Sequence, residues 1–175
     1  MPNHVHMIVC GKESTSMARC LGLTHMRYAR RVNERNGWTG HLWANRFYST
    51  PVDDEHLWAA VRYVELNPVR AGIVTRPTEY PWSSARGNAL RVADALLDPD
   101  RPFPGSIDDW EPWLMAGVDD KTCDALRRCT LSGRPCGSAA FARDVEVAAN
   151  RALATRKRGR RPRLTNTEGR PRLID

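Results

Sequence analysis

The stretch DDEHLWAAVRYVELNP (53–68) constrains the chain more than any other, because both of its ends are chemically set. Asp53 or Asp54 caps a helix there, since an aspartate side chain accepts hydrogen bonds from unpaired first-turn amides. Pro68 closes it, since proline disfavours helical backbone at the residue before it. In between, Leu57, Ala60, Val61 and Val64 recur at helical spacing and form a core stripe. Tyr63 and Asn67 lie four residues apart on one face beside that stripe, with His56 two turns before Tyr63 on nearly the same line. A polar set flanking a buried stripe suits a cleft wall and also an ordinary half-exposed helix edge. Geometry alone leaves both readings open.

The flanking segments predict an α+β chain. HVHMIVC (4–10) is β-prone and bounded by Pro2-Asn3 and Gly11-Lys12, which predicts a strand with His4 and His6 on one face and Val5 and Met7 on the other. Residues 14–37 predict a helix capped by Ser14 or Ser16, with Met17, Cys20, Leu21, Met26 and Ala29 as its apolar stripe and Asn36-Gly37 as its stop. GHLWANRFYSTPV (40–52) is aromatic and β-branched up to Pro51 and predicts a second strand. Residues 98–112 read as a linker rich in Pro, Asp and Gly. A helix is expected near 111–131, anchored by Trp113, Leu114, Leu126 and Leu131, then a turn and a helix capped near Ser138. The division expected is a domain over 1–90, a linker and helical extension over 91–156, and a disordered basic tail over 157–175.

Charge narrows the partner. Lys and Arg number 27 against 20 Asp and Glu. The excess concentrates in TRKRGRRPRL (155–164), where Arg156, Lys157, Arg158, Arg160, Arg161 and Arg163 fall within eight residues. Such a run repels itself and attracts polyanions, of which nucleic acid is the commonest in a cytoplasm. A purely solubilising tail is the alternative. GRP at 133–135, GRRP at 159–162 and GRP at 169–171 echo one another, and short Arg-Gly-Pro motifs suit a narrow minor groove. No apolar run approaches the roughly 20 residues that cross a bilayer. Residues after Met1 do not form a signal peptide, so a cytoplasmic, nucleoid-associated location is expected and a membrane partner is not. Five cysteines without a CxxC pair predict neither a disulfide framework nor a structural zinc site.

Histidines at i and i+2 on a strand converge on one point, which is a start for a divalent-metal site. Alone, His4-x-His6 is weak, because such pairs are often surface coincidences. The order of motifs says more: MPNHVHMIV, then GHLWANRFYSTPV, then DEHLWAAVRYVELNPVRAGIV and YPWSS. That order resembles the REP-associated tyrosine transposases, bacterial relatives of single-tyrosine insertion-sequence transposases within the HUH nuclease group. The resemblance is close over residues 1–86, and TLSGRPCGSAAFARDVE with the basic end resembles that family's C-terminal extension.

The resemblance implies a truncated ferredoxin-like antiparallel sheet with helices on one face, followed by a helical basic extension. It implies that His4 and His6 hold Mg²⁺ or Mn²⁺ with Asn67 as third ligand. It also implies that Tyr63 is the nucleophile on single-stranded or hairpin DNA, giving a 5′-phosphotyrosine and a free 3′-OH. Arg46 and Arg70 are candidate phosphate contacts, and Trp43 and Phe47 candidate base-stacking residues with core packing as their alternative. The family carries a strand and a helix ahead of its MPNHVH strand. Their absence here reads as a start placed at an internal Met or as a decayed gene copy. Two rival functions remain: a non-catalytic binder of DNA hairpins, which includes an inactive truncated copy, and a hydrolytic metallonuclease using an activated water.

Overall fold

A computed structural model describes residues 1, 3–99 and 106–153. The elements are α1 (Ser16–Asn36), α2 (Asp54–Glu65), α3 (Asn67–Arg70), a 3₁₀ turn (Pro77–Glu79), α4 (Ala85–Leu90), α5 (Trp110–Met115), α6 (Asp120–Ser132) and α7 (Ala139–Ala148). Local chemistry sets most boundaries. The Asp53 carboxylate accepts from the His56 N–H at the start of α2, Asp119 from the Thr122 N–H at the start of α6, and Ser138 from the Phe141 N–H at the start of α7. Gly37 and Gly133 end α1 and α6 in the left-handed conformation, where a missing Cβ costs nothing.

The expected ferredoxin-like antiparallel sheet is not present, and the α+β assignment is corrected to a helical one. Among the described residues there is no strand, and a single parallel bridge joins Val52 to Cys136. The reason is non-local. A strand exists only where a neighbour satisfies its amides and carbonyls. Residues 4–10 run without secondary structure, and Val5 and Val9 are 64% and 54% exposed. Residues 40–51 are not a strand either. There the Trp43 indole stacks on His25 with centroids 4.1 Å apart, and its N–H donates to the His25 carbonyl at 3.0 Å. Those aromatic groups pack on α1 instead of a sheet. The α1 stripe itself reaches only partial burial, with no residue of that helix fully buried.

The helix expected over 111–131 is two helices. Gly117 adopts φ +75° between them, and Asp119 caps the second. Leu114 and Leu126 are buried as expected, whereas Leu131 is 69% exposed. The helix after Ser138 stops at Ala148. The basic run from Arg156 to Arg163, and the tail expected to be disordered, lie outside the described residues.

Two small cores result. Val61 and Leu66 pack with Ala85, Trp110 and Leu114, bordered by Leu57, Trp58 and Trp113. Ala60 packs with Leu126 and Cys136, bordered by Val52, Tyr63 and Cys129. Helix α2 therefore lies between α4–α5 on one side and α6 on the other. No helix among the described residues is long and apolar enough to cross a membrane.

Candidate functional site

The helical trace barely pauses between α2 and α3. Leu66 N–H donates to Arg62 O at 3.0 Å and Arg70 N–H to Leu66 O at 2.9 Å, so the chain turns helically across Pro68, which has no N–H to lose. Tyr63, Asn67 and Arg70 consequently stack on one face at i, i+4 and i+7. The Arg70 guanidinium lies 4.0 Å above the Tyr63 ring and donates to the Tyr63 carbonyl at 2.9 Å and to Asn67 Oδ1 at 3.4 Å.

The two histidines meet this face. The His6 ring stands edge-on to Tyr63 with centroids 5.8 Å apart, and His4 and His6 are edge-on to each other at 4.9 Å. Burial, followed by the charges of His4, Arg70 and the N-terminal amine, holds the His6 imidazole below its ordinary range. That favours the neutral ring, the form able to donate a lone pair to a cation. His4 Nδ1 lies 2.7 Å from Asn3 Oδ1. As the donor in that bond it leaves Nε2 with the free lone pair.

Asn67 offers a test of whether a cation fits. Its Nδ2 is buried with no hydrogen-bond partner, and its Oδ1 has the long Arg70 contact. The amide oxygen is the hard donor that Mg²⁺ or Mn²⁺ would take, whereas the unpartnered Nδ2 carries N–H groups that no cation satisfies. A second group of metal-capable atoms, Asp53, Glu55 and His56, converges at the start of α2. There the Asp53 oxygens already accept from Ser138 N–H at 2.8 Å, His56 N–H at 3.0 Å and the His56 ring at 2.6 Å, so geometry assigns that carboxylate to capping.

Pairwise contacts link five expected site residues: His4 to His6, His6 to Tyr63, and Arg70 to both Tyr63 and Asn67. Arg46 lies elsewhere, along a groove of about 440 Å³ that Phe47, Tyr48, Met17 and Leu131 also line. It sits 5.3 Å above the Phe47 ring. Trp43 is occupied by its stacking on His25. Arg156, Lys157, Arg158, Arg160, Arg161 and Arg163 fall outside the described residues.

Two neighbours have no counterpart among the residues expected from sequence. Glu65, between Tyr63 and Asn67 in sequence, points the opposite way and is 2% exposed. It accepts from the Ser84 hydroxyl, from Asn88 Nδ2 at 2.7 Å and from the Trp110 indole N–H at 2.7 Å. A signal existed: Glu65 is four residues after Val61, which puts a carboxylate on the core stripe. The Arg127 guanidinium of α6 lies 5.7 Å from the Tyr63 ring centroid. Nothing local to α6 announces that contact.

Residues 1–67 match the family model described as "Transposase IS200 like". Neither a curated protein nor a solved structure matches the chain.

Proposed function

We propose that this chain, whose residues 1–67 match the "Transposase IS200 like" family model, cleaves and rejoins single-stranded DNA at hairpins of the repetitive extragenic palindrome type. DNA is the partner that a transposase segment implies. The observation that carries the finer reading is the 5.8 Å approach of His6 to Tyr63, with Asn67 one helical turn further on. In this reading the Tyr63 phenol oxygen attacks phosphorus, the bond from phosphorus to the 3′-oxygen breaks, and the phenol proton is replaced on balance by one on the released 3′-OH. The product is a 5′-phosphotyrosine whose bond energy permits rejoining without ATP. His4, His6 and Asn67 would hold Mg²⁺ or Mn²⁺, which supplies polarisation of the phosphate and offsets charge on the leaving oxygen. Arg70 orients the phenol ring from above and adds positive charge beside it. The basic run 156–163 supplies sequence-independent attraction to the phosphate backbone.

One observation favours a second reading, a non-catalytic hairpin binder: among the described residues, the segment bearing both histidines has no strand partner to fix it. A single experiment separates the two. The full chain is incubated with a labelled hairpin oligonucleotide and Mn²⁺, then run on a denaturing gel. The nuclease reading expects a covalent protein–DNA band that Tyr63→Phe abolishes while binding survives. Cleavage that persists in Tyr63→Phe transfers the chemistry to an activated water. Binding with no covalent band from the parent chain leaves the binder.

A further inference from the structure

The two arginines at Tyr63 both lie beyond residue 67, and one comes from a helix that has no part in the matched segment. Arg70 covers the ring at 4.0 Å, and Arg127 approaches it at 5.7 Å. Helix α6 is held at α2 by packing of Leu126 on Ala60 and by a contact of 3.4 Å from Arg70 Nη1 to Cys123 Sγ. Cys123 and Arg127 are one turn apart on α6, so the contact that anchors Arg70 also fixes the row from which Arg127 projects.

We infer that Arg70 and Arg127 form a two-armed clamp for a nucleic-acid phosphate across the Tyr63 ring, with Arg127 as a further catalytic residue. The clamp deepens the nuclease reading and rests on it for its catalytic half; its binding half stands apart. A guanidinium carries five donors in a planar fork that matches two phosphate oxygens. Arg127 Nη1 donates to Asp124 Oδ1 at 2.9 Å, and the two side chains are 52% and 56% exposed. An ion pair that open is weak, so a phosphate can displace Asp124. Arg127 lies beside the same ring as Arg70, and the phosphodiester formed on Tyr63 would keep one negative charge for the two guanidiniums to neutralise.

Binding is measured without cleavage, in full-length chain carrying Tyr63→Phe. A fluorescein-labelled oligothymidylate is titrated by anisotropy over a series of NaCl concentrations. Arg127→Ala is expected to flatten the slope of log K against log salt by about 0.7, the share of one phosphate contact on a single strand. Arg127→Lys is expected to keep the slope. Asp124→Asn, which frees the arm, is expected to tighten binding. In the Tyr63 parent, Arg127→Ala is expected to slow covalent adduct formation on the order of 100-fold, as for removal of one donor from a developing charge. Circular dichroism confirms that each variant folds. An unchanged slope in Arg127→Ala, or weaker binding in Asp124→Asn, overturns the clamp. A parent chain that binds with the full slope and forms no adduct supports the clamp and removes the catalytic reading instead.

Discussion

Glu65 provides the most exacting test of how the site is held. Its carboxylate is buried beneath the helix that carries Tyr63 and accepts from Ser84, Asn88 and Trp110. Replacing it by Ala removes the acceptor of all three, and each stranded donor costs about 1–3 kcal/mol. The three costs do not simply add. Ser84 and Asn88 are only half buried and turn to water, whereas Trp110 is 8% exposed and bears most of its loss. The expected destabilisation for Glu65→Ala is therefore about 3 kcal/mol. Glu65→Gln keeps the shape but turns one acceptor into a donor facing another donor, for about 1–2 kcal/mol. Urea unfolding is well suited to reading this, because Trp58, Trp110 and Trp113 pack on one another beside the carboxylate and report the change in fluorescence. With a urea slope of about 1.5–3 kcal/mol per molar, Glu65→Ala moves the midpoint down by about 1–2 M at unchanged slope. A midpoint unchanged in Glu65→Ala would mean that the network contributes nothing net, and the account of how α2 is anchored to α4 and α5 would fail.

Two further predictions concern single groups. Burial, with Cys129 alongside, pushes the Cys136 thiol up to about 12, so a maleimide reagent at neutral pH is expected to label exposed Cys10 and Cys20 and to reach Cys136 only after urea is added, as counted by mass; early labelling of Cys136 contradicts this. Burial raises the Asp53 carboxyl, but hydrogen bonds from the Ser138 N–H, the His56 ring and the His56 N–H outweigh it and hold that group below its ordinary value of 3.8. Its contribution is thus present above the unfolded pKa and lost as pH falls through the folded one. Asp53→Asn is expected to cost about 1 kcal/mol at neutral pH, with the gap to the parent closing below 3.8, as melting curves at both pH values test.

Helix ends were legible because the chemistry that sets them is local. Asp53, Gly37 and Ser138 each act within a few residues of themselves, and α2, α1 and α7 begin or end beside them, whereas Pro68 closes nothing and sits in the first turn of α3. The break between α5 and α6 carried two local signals, Gly117 and the capping Asp119, which the apolar anchors on either side outweighed. The strands were illegible for the opposite reason. HVHMIVC has the composition of a strand, but strand formation belongs to a pair, and the described residues hold no partner for it. The candidate site divides the same way. Tyr63, Asn67 and Arg70 share a face by helical period alone. The approach of His6 depended on motif order, and Arg127 depends on packing 64 residues away from Tyr63, which no local pattern encodes.

The Asp53 carboxylate has a consequence for any attempt to dissect the molecule. It starts α2 through His56 and also receives the Ser138 N–H, the residue that starts α7, while Pro51 and Asp53 exchange backbone bonds with Cys136. Two helices that are distant in the chain thus take their origin from one knot. Excising the matched residues alone would untie it and strip Leu114, Leu126 and Cys136 from the faces that α2 rests on. The matched segment and the helices beyond it therefore share one folded support, with Cys136, two residues before Ser138, in the core cluster that Tyr63 borders.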